Sequence, residues 1–141
     1  MPLHVEVVSP ETVLYSGDGD MVVCRTADGD IAFLPGHAPF IGALGVAKVR
    51  VILPEAPHDA AHTHGEQTIA VHGGFVEVGN DKVIVLSDVA ELPEQIDVER
   101  ARASKARAEA ALGSNELDED AAAALARADL RLDVAGATST A

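Results

Sequence analysis

The chain has 141 residues, of which 48% are hydrophobic and only 3% aromatic, and a formal net charge of −13 at neutral pH. This acidity argues against binding to nucleic acid or to anionic lipid, because both would repel the chain. The length suits one domain, or a domain of about 90 residues with a small appendage. Proteins or small ligands are therefore the expected partners.

Cys24 is the single cysteine, so no disulfide can form within the chain and a reducing compartment is expected. The N-terminal sequence is neither basic nor followed by a long apolar stretch, so no signal peptide is expected. No segment approaches the roughly 20 apolar residues of a membrane span. Membrane association is expected only through a partner.

Up to Glu91 the sequence consists of short runs rich in β-branched residues, separated by turn residues, a pattern that predicts a β-sandwich or barrel. The predicted strands are Leu3 to Val8, Val13 to Tyr15, Met21 to Arg25, Asp30 to Leu34, Phe40 to Leu44, Val46 to Leu53, Gln67 to Val71, Phe75 to Val78 and Lys82 to Ser87. The predicted turns are Gly17 to Asp20, Asp28-Gly29, Gly73-Gly74 and Gly79 to Asp81.

Two segments of this region differ from the rest. Val83 to Leu86 is apolar at every position, which predicts that both faces are covered, one of them by the C-terminal tail or by a partner. Leu53 to Gln67 reads as a long exposed hairpin loop. Its histidines His58, His62 and His64 suggest at most a weak metal site, because the loop lacks the ligand spacing of a preorganised one.

After Leu92-Pro93 alanine dominates, which predicts two antiparallel helices. Asp97 is a predicted N-cap of a first helix that ends near Leu112 at Gly113. Leu117 to Asp120 opens a second helix, expected to end near Val134-Ala135 before Gly136. The predicted domains are residues 1–91, a helical hairpin at 92–136 and a frayed tail at 137–141.

The predicted hairpin is lined by small residues, so it should be weakly held and detachable. Its expected contact stripe comprises Leu125, Ala128, Leu132 and Ala135 against Ala101, Ala108, Ala111 and Leu112. Six of the ten basic residues also fall here: Arg100, Arg102, Lys105, Arg107, Arg127 and Arg131. They could present guanidinium groups to phosphates, or form a solvated face paired with neighbouring acids.

No nucleophile elbow, P-loop or dinucleotide fingerprint is present, so the sequence argues against an enzyme acting alone. The run Gly29 to Pro39 is instead the most distinctive feature. It is a short apolar strand closed by Pro35, Gly36 and Pro39, which offers His37 at the tip of a rigid loop.

This run closely resembles the signature loop of the epsilon subunit of bacterial F-type ATP synthases. Val71 to Val78, continuing through Val83 to Asp88, and the alanine-rich hairpin resemble the same family in the same order. The resemblance implies an N-terminal β-sandwich followed by a C-terminal two-helix hairpin.

The resemblance also implies a non-catalytic rotor subunit, peripheral to the cytoplasmic face of the bacterial membrane as part of F1. Its partners would be the gamma subunit and the c-ring, with the catalytic alpha and beta subunits contacted if the hairpin extends and inhibits ATP hydrolysis. The implied gamma and c-ring interface comprises Asp30, Ile31, Leu34, His37 and Pro39.

Some bacterial members bind ATP in the hairpin as a regulatory ligand, and Ile96 to Ala101 matches their motif fully. No cofactor is required. The implied ATP-binding residues are Glu91, Ile96, Asp97, Arg100, Ala101, Arg107, Arg127 and Arg131. Because the second helix is short and opens with acidic residues, inhibition by insertion stays an open alternative.

Two other functions fit parts of the sequence. A free-standing ATP sensor would bind ATP without forming a complex with gamma. A metal-dependent all-β enzyme would use His62 and His64 and would retain stoichiometric metal.

Overall fold

A computed structural model of the chain describes residues 2–54 and 65–136. The N-terminal unit, up to Ala90, is built from β-strands, and the unit from Glu91 onward from two helices. The strands are β1 (Leu3–Val8), β2 (Val13–Gly19), β3 (Met21–Thr26), β4 (Gly29–Phe33), β5 (Phe40–Ile52), β6 (Glu66–Gly79), β7 (Lys82–Leu86) and β8 (Ala90–Glu91). The helices are α1 (Val98–Ser114) and α2 (Glu119–Val134), preceded by a 3₁₀ turn at Pro93–Gln95.

Strands β1 to β7 form one hydrogen-bonded sheet in the order β2-β1-β7-β6-β5-β3-β4, antiparallel except for the β1–β7 pair. The first half of β5 pairs with the second half of β6, which pairs onward with β7. The second half of β5 pairs with the first half of β6 and with β3. The two long strands therefore belong to both layers of a β-sandwich, and the predicted sandwich fold is confirmed.

The burial pattern changes midway along β6. Ile69, Ala70 and Val71 are all buried in its first half, whereas in its second half the buried Val76 and Val78 alternate with the exposed Phe75 and Glu77. Gly73 and Gly74 have φ of 85° and 125° at the change. The predicted Gly73-Gly74 hairpin turn is therefore wrong, because these glycines bend one continuous strand and let both halves face a shared core.

Strand β5 is continuous in the same way, so the predicted break near Gly45 is wrong too. The Gly17 to Asp20 turn is also shorter than predicted, because Gly17 to Gly19 belong to β2. By contrast, the turns at Asp28-Gly29 and at Gly79 to Asp81 are confirmed as hairpin connections.

Aliphatic side chains, together with Phe33, fill the core between the layers. Val5 and Val51 are fully buried, and a Cβ added to Gly19 would lie 2.8 Å from Val51 Cγ1 and 3.5 Å from Val5 Cγ2. Strand β7 alternates in burial and leaves Leu86 45% exposed. In the chain alone, one face of Val83 to Leu86 is therefore only partly covered, and cover of that face by a partner stays a prediction.

In the helical unit, Asp97 is the N-cap of α1, as predicted, and accepts a hydrogen bond from the Arg100 amide at 3.1 Å. Helix α1 continues through Gly113 to Ser114, so the predicted end at Gly113 is wrong and Asn115 is the C-cap. Helix α2 ends at Val134, and Gly136 has φ of 76°, as a helix-terminating glycine should.

Four residues of the predicted contact stripe are buried and the other four are only half-buried. Buried residues are Ala101, Ala108, Ala128 and Leu132, whereas Ala111, Leu112, Leu125 and Ala135 are intermediate. A small interface of this kind contributes little hydrophobic free energy per residue. The predicted loop histidines and the tail at 137–141 lie outside the described residues.

Candidate functional site

A polar cavity of about 210 Å³ lies within the helical unit. Its lining combines two guanidinium groups, two carboxylates, an amide and a hydroxyl around one alanine. The lining residues are Glu91, Gln95, Asp97, Arg100, Ala101, Ser104 and Arg131. The cavity therefore offers both cationic and acceptor groups to one ligand.

The turn that precedes α1 builds one wall of this cavity. Pro93 begins the 3₁₀ turn, and Gln95 Oε1 accepts a hydrogen bond from the Leu92 amide at 3.0 Å. The chain then reaches Asp97, whose side chain caps the helix. Because Arg100, Ala101 and Ser104 follow at three, four and seven residues from Asp97, all of them lie on one helix face.

An ion pair between two of the lining residues joins α2 to the first residue of the unit. Arg131 Nε donates to Glu91 Oε1 at 2.7 Å, and the two side chains are 28% and 23% exposed. This pair keeps the Arg131 guanidinium at the cavity wall. Any anion that binds Arg131 must therefore share it with Glu91 or displace that carboxylate.

A triphosphate is the kind of ligand that Arg100 and Arg131 suit, because guanidinium groups donate paired hydrogen bonds to phosphate oxygens. Carboxylates such as Glu91 accept hydrogen bonds from sugar hydroxyls or an exocyclic amine. Groups that suit a phosphate and groups that suit a sugar hydroxyl or an exocyclic amine therefore line the same cavity.

The remaining predicted ATP-binding residues lie elsewhere. Ile96 is buried, 8% exposed, and does not line the cavity. Arg107 donates from Nη2 to Ser104 Oγ at 3.1 Å and lines a second groove with Asp118 and Asp120. Arg127 is exposed and lines neither.

Gln95 and Ser104 line the cavity but were not predicted. The spacing of Ser104, four residues after Arg100, was a usable signal for the same helix face. Gln95 carried no such signal, because its position depends on the 3₁₀ turn at Pro93.

The predicted partner interface lies in the N-terminal unit, along β4 and the loop that follows it. Asp30, at the start of β4, accepts a hydrogen bond from Arg25 Nε at 2.9 Å, which lowers the pKa of the carboxyl. Ile31 is half-buried, and Leu34 is 54% exposed. Since β4 advances about 3.3 Å per residue, Asp30 lies roughly 10 Å before the loop and not within it.

The loop itself is tightly organised around His37. Its ring Nδ1 contacts the Ala38 carbonyl oxygen at 2.7 Å and its ring packs edge-on against Phe33 with centroids 5.0 Å apart. Pro39 leads directly into β5. Leu34 is thus the large hydrophobic side chain that this loop exposes, whereas His37 is held by its neighbours.

Within residues 2–54 and 65–136, no three His, Cys, Asp or Glu side chains are grouped as a metal site would require. No helix there is long and apolar enough to cross a membrane. His58, His62 and His64 lie outside these ranges.

Comparison with known proteins covers both units. Residues 2–93 match the family described as ATP synthase, Delta/Epsilon chain, beta-sandwich domain, and residues 94–136 match its long alpha-helix domain. An ATP synthase epsilon chain of Thermobifida fusca is 44% identical over 99% of this chain and 96% of its own. One from Alkalihalophilus pseudofirmus is 45% identical over 82% and 80%.

Solved structures share the fold at low sequence identity. A chain of the Euglena gracilis mitochondrial ATP synthase has a TM-score of 0.64 and 18% identity, covering 96% of this chain and 78% of that one. A chain of the Tetrahymena thermophila mitochondrial enzyme, in its central stalk and c-ring, has a TM-score of 0.56 and 10% identity, covering 96% and 97%. From the family matches and the curated relatives, the chain belongs to the ATP synthase delta/epsilon family, among the epsilon chains.

Proposed function

We propose that this chain couples the c-ring to the gamma subunit through its sandwich, and that its helical unit binds ATP and regulates ATP hydrolysis. As an epsilon chain it is a non-catalytic subunit of the central stalk of ATP synthase. The observation that carries the regulatory part is the cavity that joins Arg100 and Arg131 to the helix cap at Asp97.

In the proposed complex, Arg100 and Arg131 bind the phosphates of ATP. Asp97 already accepts the Arg100 amide with Oδ1, so its other oxygen is available to the ligand. Glu91 accepts from the ribose or the base after it releases Arg131. Arg107 and Arg127 do not line the cavity, so they contribute only through long-range attraction or after reorientation.

ATP binding stabilises whichever arrangement of the helical unit contains the assembled cavity. Without ATP, the weakly packed alanine interface allows the unit to rearrange and contact the catalytic subunits. ATP is therefore a regulatory ligand and not a substrate of this chain.

The proposed contact with the c-ring and gamma uses the strip from Asp30 to Pro39. Its support is the exposure of Leu34 beside a rigid loop, an arrangement that loses little conformational entropy on binding. The chain acts as a peripheral part of F1, and we place it at the cytoplasmic face of the membrane.

Calorimetric titration of ATP into the full-length chain tests the cavity. We expect Arg100→Ala and Arg131→Ala to weaken ATP binding about tenfold or more, since each removes a charge-assisted contact to phosphate. Arg127→Ala is the matched control and should change the affinity less than about threefold, because an exposed charge outside the site is screened.

Equal losses in all the arginine variants would show that net charge, and not the cavity, governs binding. Absence of ATP binding by the native chain would remove the regulatory proposal and leave the rotor assignment intact. Formation of a complex with gamma would support the rotor assignment, because a free-standing ATP sensor would bind ATP without forming one.

A further inference from the structure

One carboxylate outside the loop at Leu34 to Pro39 connects that loop to the rest of the sandwich. The Gly36 amide donates to Asp81 Oδ1 at 2.6 Å, across a separation of 45 residues. Asp81 lies in the tight turn between β6 and β7. The loop is therefore attached to a neighbouring hairpin as well as to its own flanking strands.

Asp81 is itself held in a defined place. Asn80 and Asp81 have φ of 52° and 56°, the left-handed conformation that a two-residue type I′ hairpin turn requires. The Asp81 carbonyl oxygen accepts from the His4 amide at 2.9 Å, which ties the turn to β1. The carboxylate thus projects from a turn that connects β6 to β7 and whose backbone is hydrogen-bonded to β1.

The loop has few backbone donors of its own, because Pro35 and Pro39 have none. The His37 amide donates to Leu34 O at 3.1 Å within the loop. The Gly36 amide, in a residue with φ of 84°, is directed outward to Asp81. This hydrogen bond therefore sets the position of the loop tip relative to the sandwich.

We propose that Asp81 is a positioning residue for partner binding, because it preorganises the loop that presents Leu34 and His37. This inference rests on the proposed function, in which that loop contacts the c-ring. A loop held in its binding conformation loses less conformational freedom when the partner binds. Asp81 acts through Gly36 and need not touch the partner.

Two substitutions of Asp81 separate this role from general folding. Asp81→Gly removes the acceptor but adopts a positive φ readily, so the turn is preserved. Asp81→Asn keeps a side-chain oxygen acceptor and also tolerates the left-handed conformation. Asn80→Gly is the matched control, since it changes the adjacent turn residue and leaves the hydrogen bond in place.

The first readout is hydrogen exchange of the Gly36 amide in the full-length chain. Asp81→Gly should accelerate it about tenfold or more, because a hydrogen bond to a charged group is lost. Asp81→Asn should accelerate it less than about threefold, and Asn80→Gly should leave it unchanged. Unchanged exchange in Asp81→Gly would overturn the proposal.

The second readout is affinity for an epsilon-depleted assembly of gamma and the c-ring. We expect Asp81→Gly to weaken binding about fivefold to tenfold, with recovery to within about threefold in Asp81→Asn. If Leu34→Ser weakens binding and Asp81→Gly does not, the positioning role is wrong and the loop contact stands. If neither substitution affects binding, the loop contact itself is wrong.

Discussion

Glu91 and Arg131 form an ion pair at 2.7 Å although 40 residues separate them in the chain. The pair joins the first residue of the helical unit to its last helical turn, and both side chains are mostly shielded from solvent. Glu91→Ala should therefore destabilise the unit by about 0.5 to 1 kcal/mol. Amide exchange of α2 in low salt is the measurement.

The destabilisation should shrink as salt is added, because ions screen the lost attraction. Glu94→Ala is the control, since Glu94 is exposed in the preceding turn and has no described ion pair. Equal exchange in both variants at every salt concentration would show that the Glu91 pair contributes nothing to the fold.

The two helix caps should have separable effects. Asp97→Ala and Asp118→Ala each remove a side-chain acceptor at a helix N-terminus and should cost about 1 kcal/mol of helix stability. Only Asp97 lines the cavity, so only its replacement should also weaken ATP binding directly.

Thermal unfolding followed by circular dichroism, paired with ATP titration, measures both quantities. Asn at either position should restore most of the stability, because it is also a good cap. Loss of ATP affinity in Asp118→Ala as large as in Asp97→Ala would mean that helix stability alone controls binding.

Gly74 should be irreplaceable in the sandwich. A Cβ at this position would overlap the Leu86 carbonyl oxygen, and the φ of 125° is strained for any other residue. Gly74→Ala should destabilise the N-terminal unit by about 3 kcal/mol or more, as measured by urea unfolding.

Gly79→Ala provides the matched control, because a Cβ there meets nothing within 4 Å and its φ is ordinary. Its effect should stay below about 1 kcal/mol. Similar urea unfolding midpoints for the two variants would contradict the close contact between Gly74 in β6 and Leu86 in β7.

The Cys24 thiol should resist alkylation in the folded chain. Burial raises its pKa to about 12, so almost no thiolate forms at pH 8. In the unfolded chain the Cys24 thiol has a pKa near 9.0, so it loses its proton at a lower pH than in the folded chain. Stability should therefore fall as pH rises from about 9 towards about 12.

Denaturant unfolding at several pH values tests the sign of this effect. Cys24→Ala removes a buried sulfur and lowers stability at all pH values. Above pH 9, however, its unfolding free energy should fall less steeply with pH than that of the native chain. Identical slopes would indicate that Cys24 ionises equally in both states.

Local chemistry explains what could be predicted from the sequence. Asp97 was identifiable as a cap because capping depends on a few neighbouring residues. The strands were largely identifiable from β-branched residues, but the role of Gly73-Gly74 was not. Glycine pairs suit both a hairpin turn and a bend within a strand, and only the pairing of β5 with β6 distinguishes the two.

Prediction of the cavity was incomplete for a similar reason. Glu91, Asp97, Arg100 and Arg131 converge there, whereas Arg127 does not. The family resemblance implied Arg127 and Arg131 together, and residues four apart do share a helix face. Which of them reaches the cavity depends on how α2 packs against α1, and sequence spacing does not specify that packing.

The most direct test of the central claim is ATP hydrolysis by an epsilon-depleted ATP synthase reconstituted with either of two chains. One is full-length and the other ends at Gln95, which retains the sandwich and removes both helices. We predict that both chains bind gamma, that only the full-length chain slows hydrolysis, and that rising ATP concentration relieves the inhibition. Equal rates with the two chains at every ATP concentration, with both chains bound, would contradict an ATP-responsive role for the helical unit.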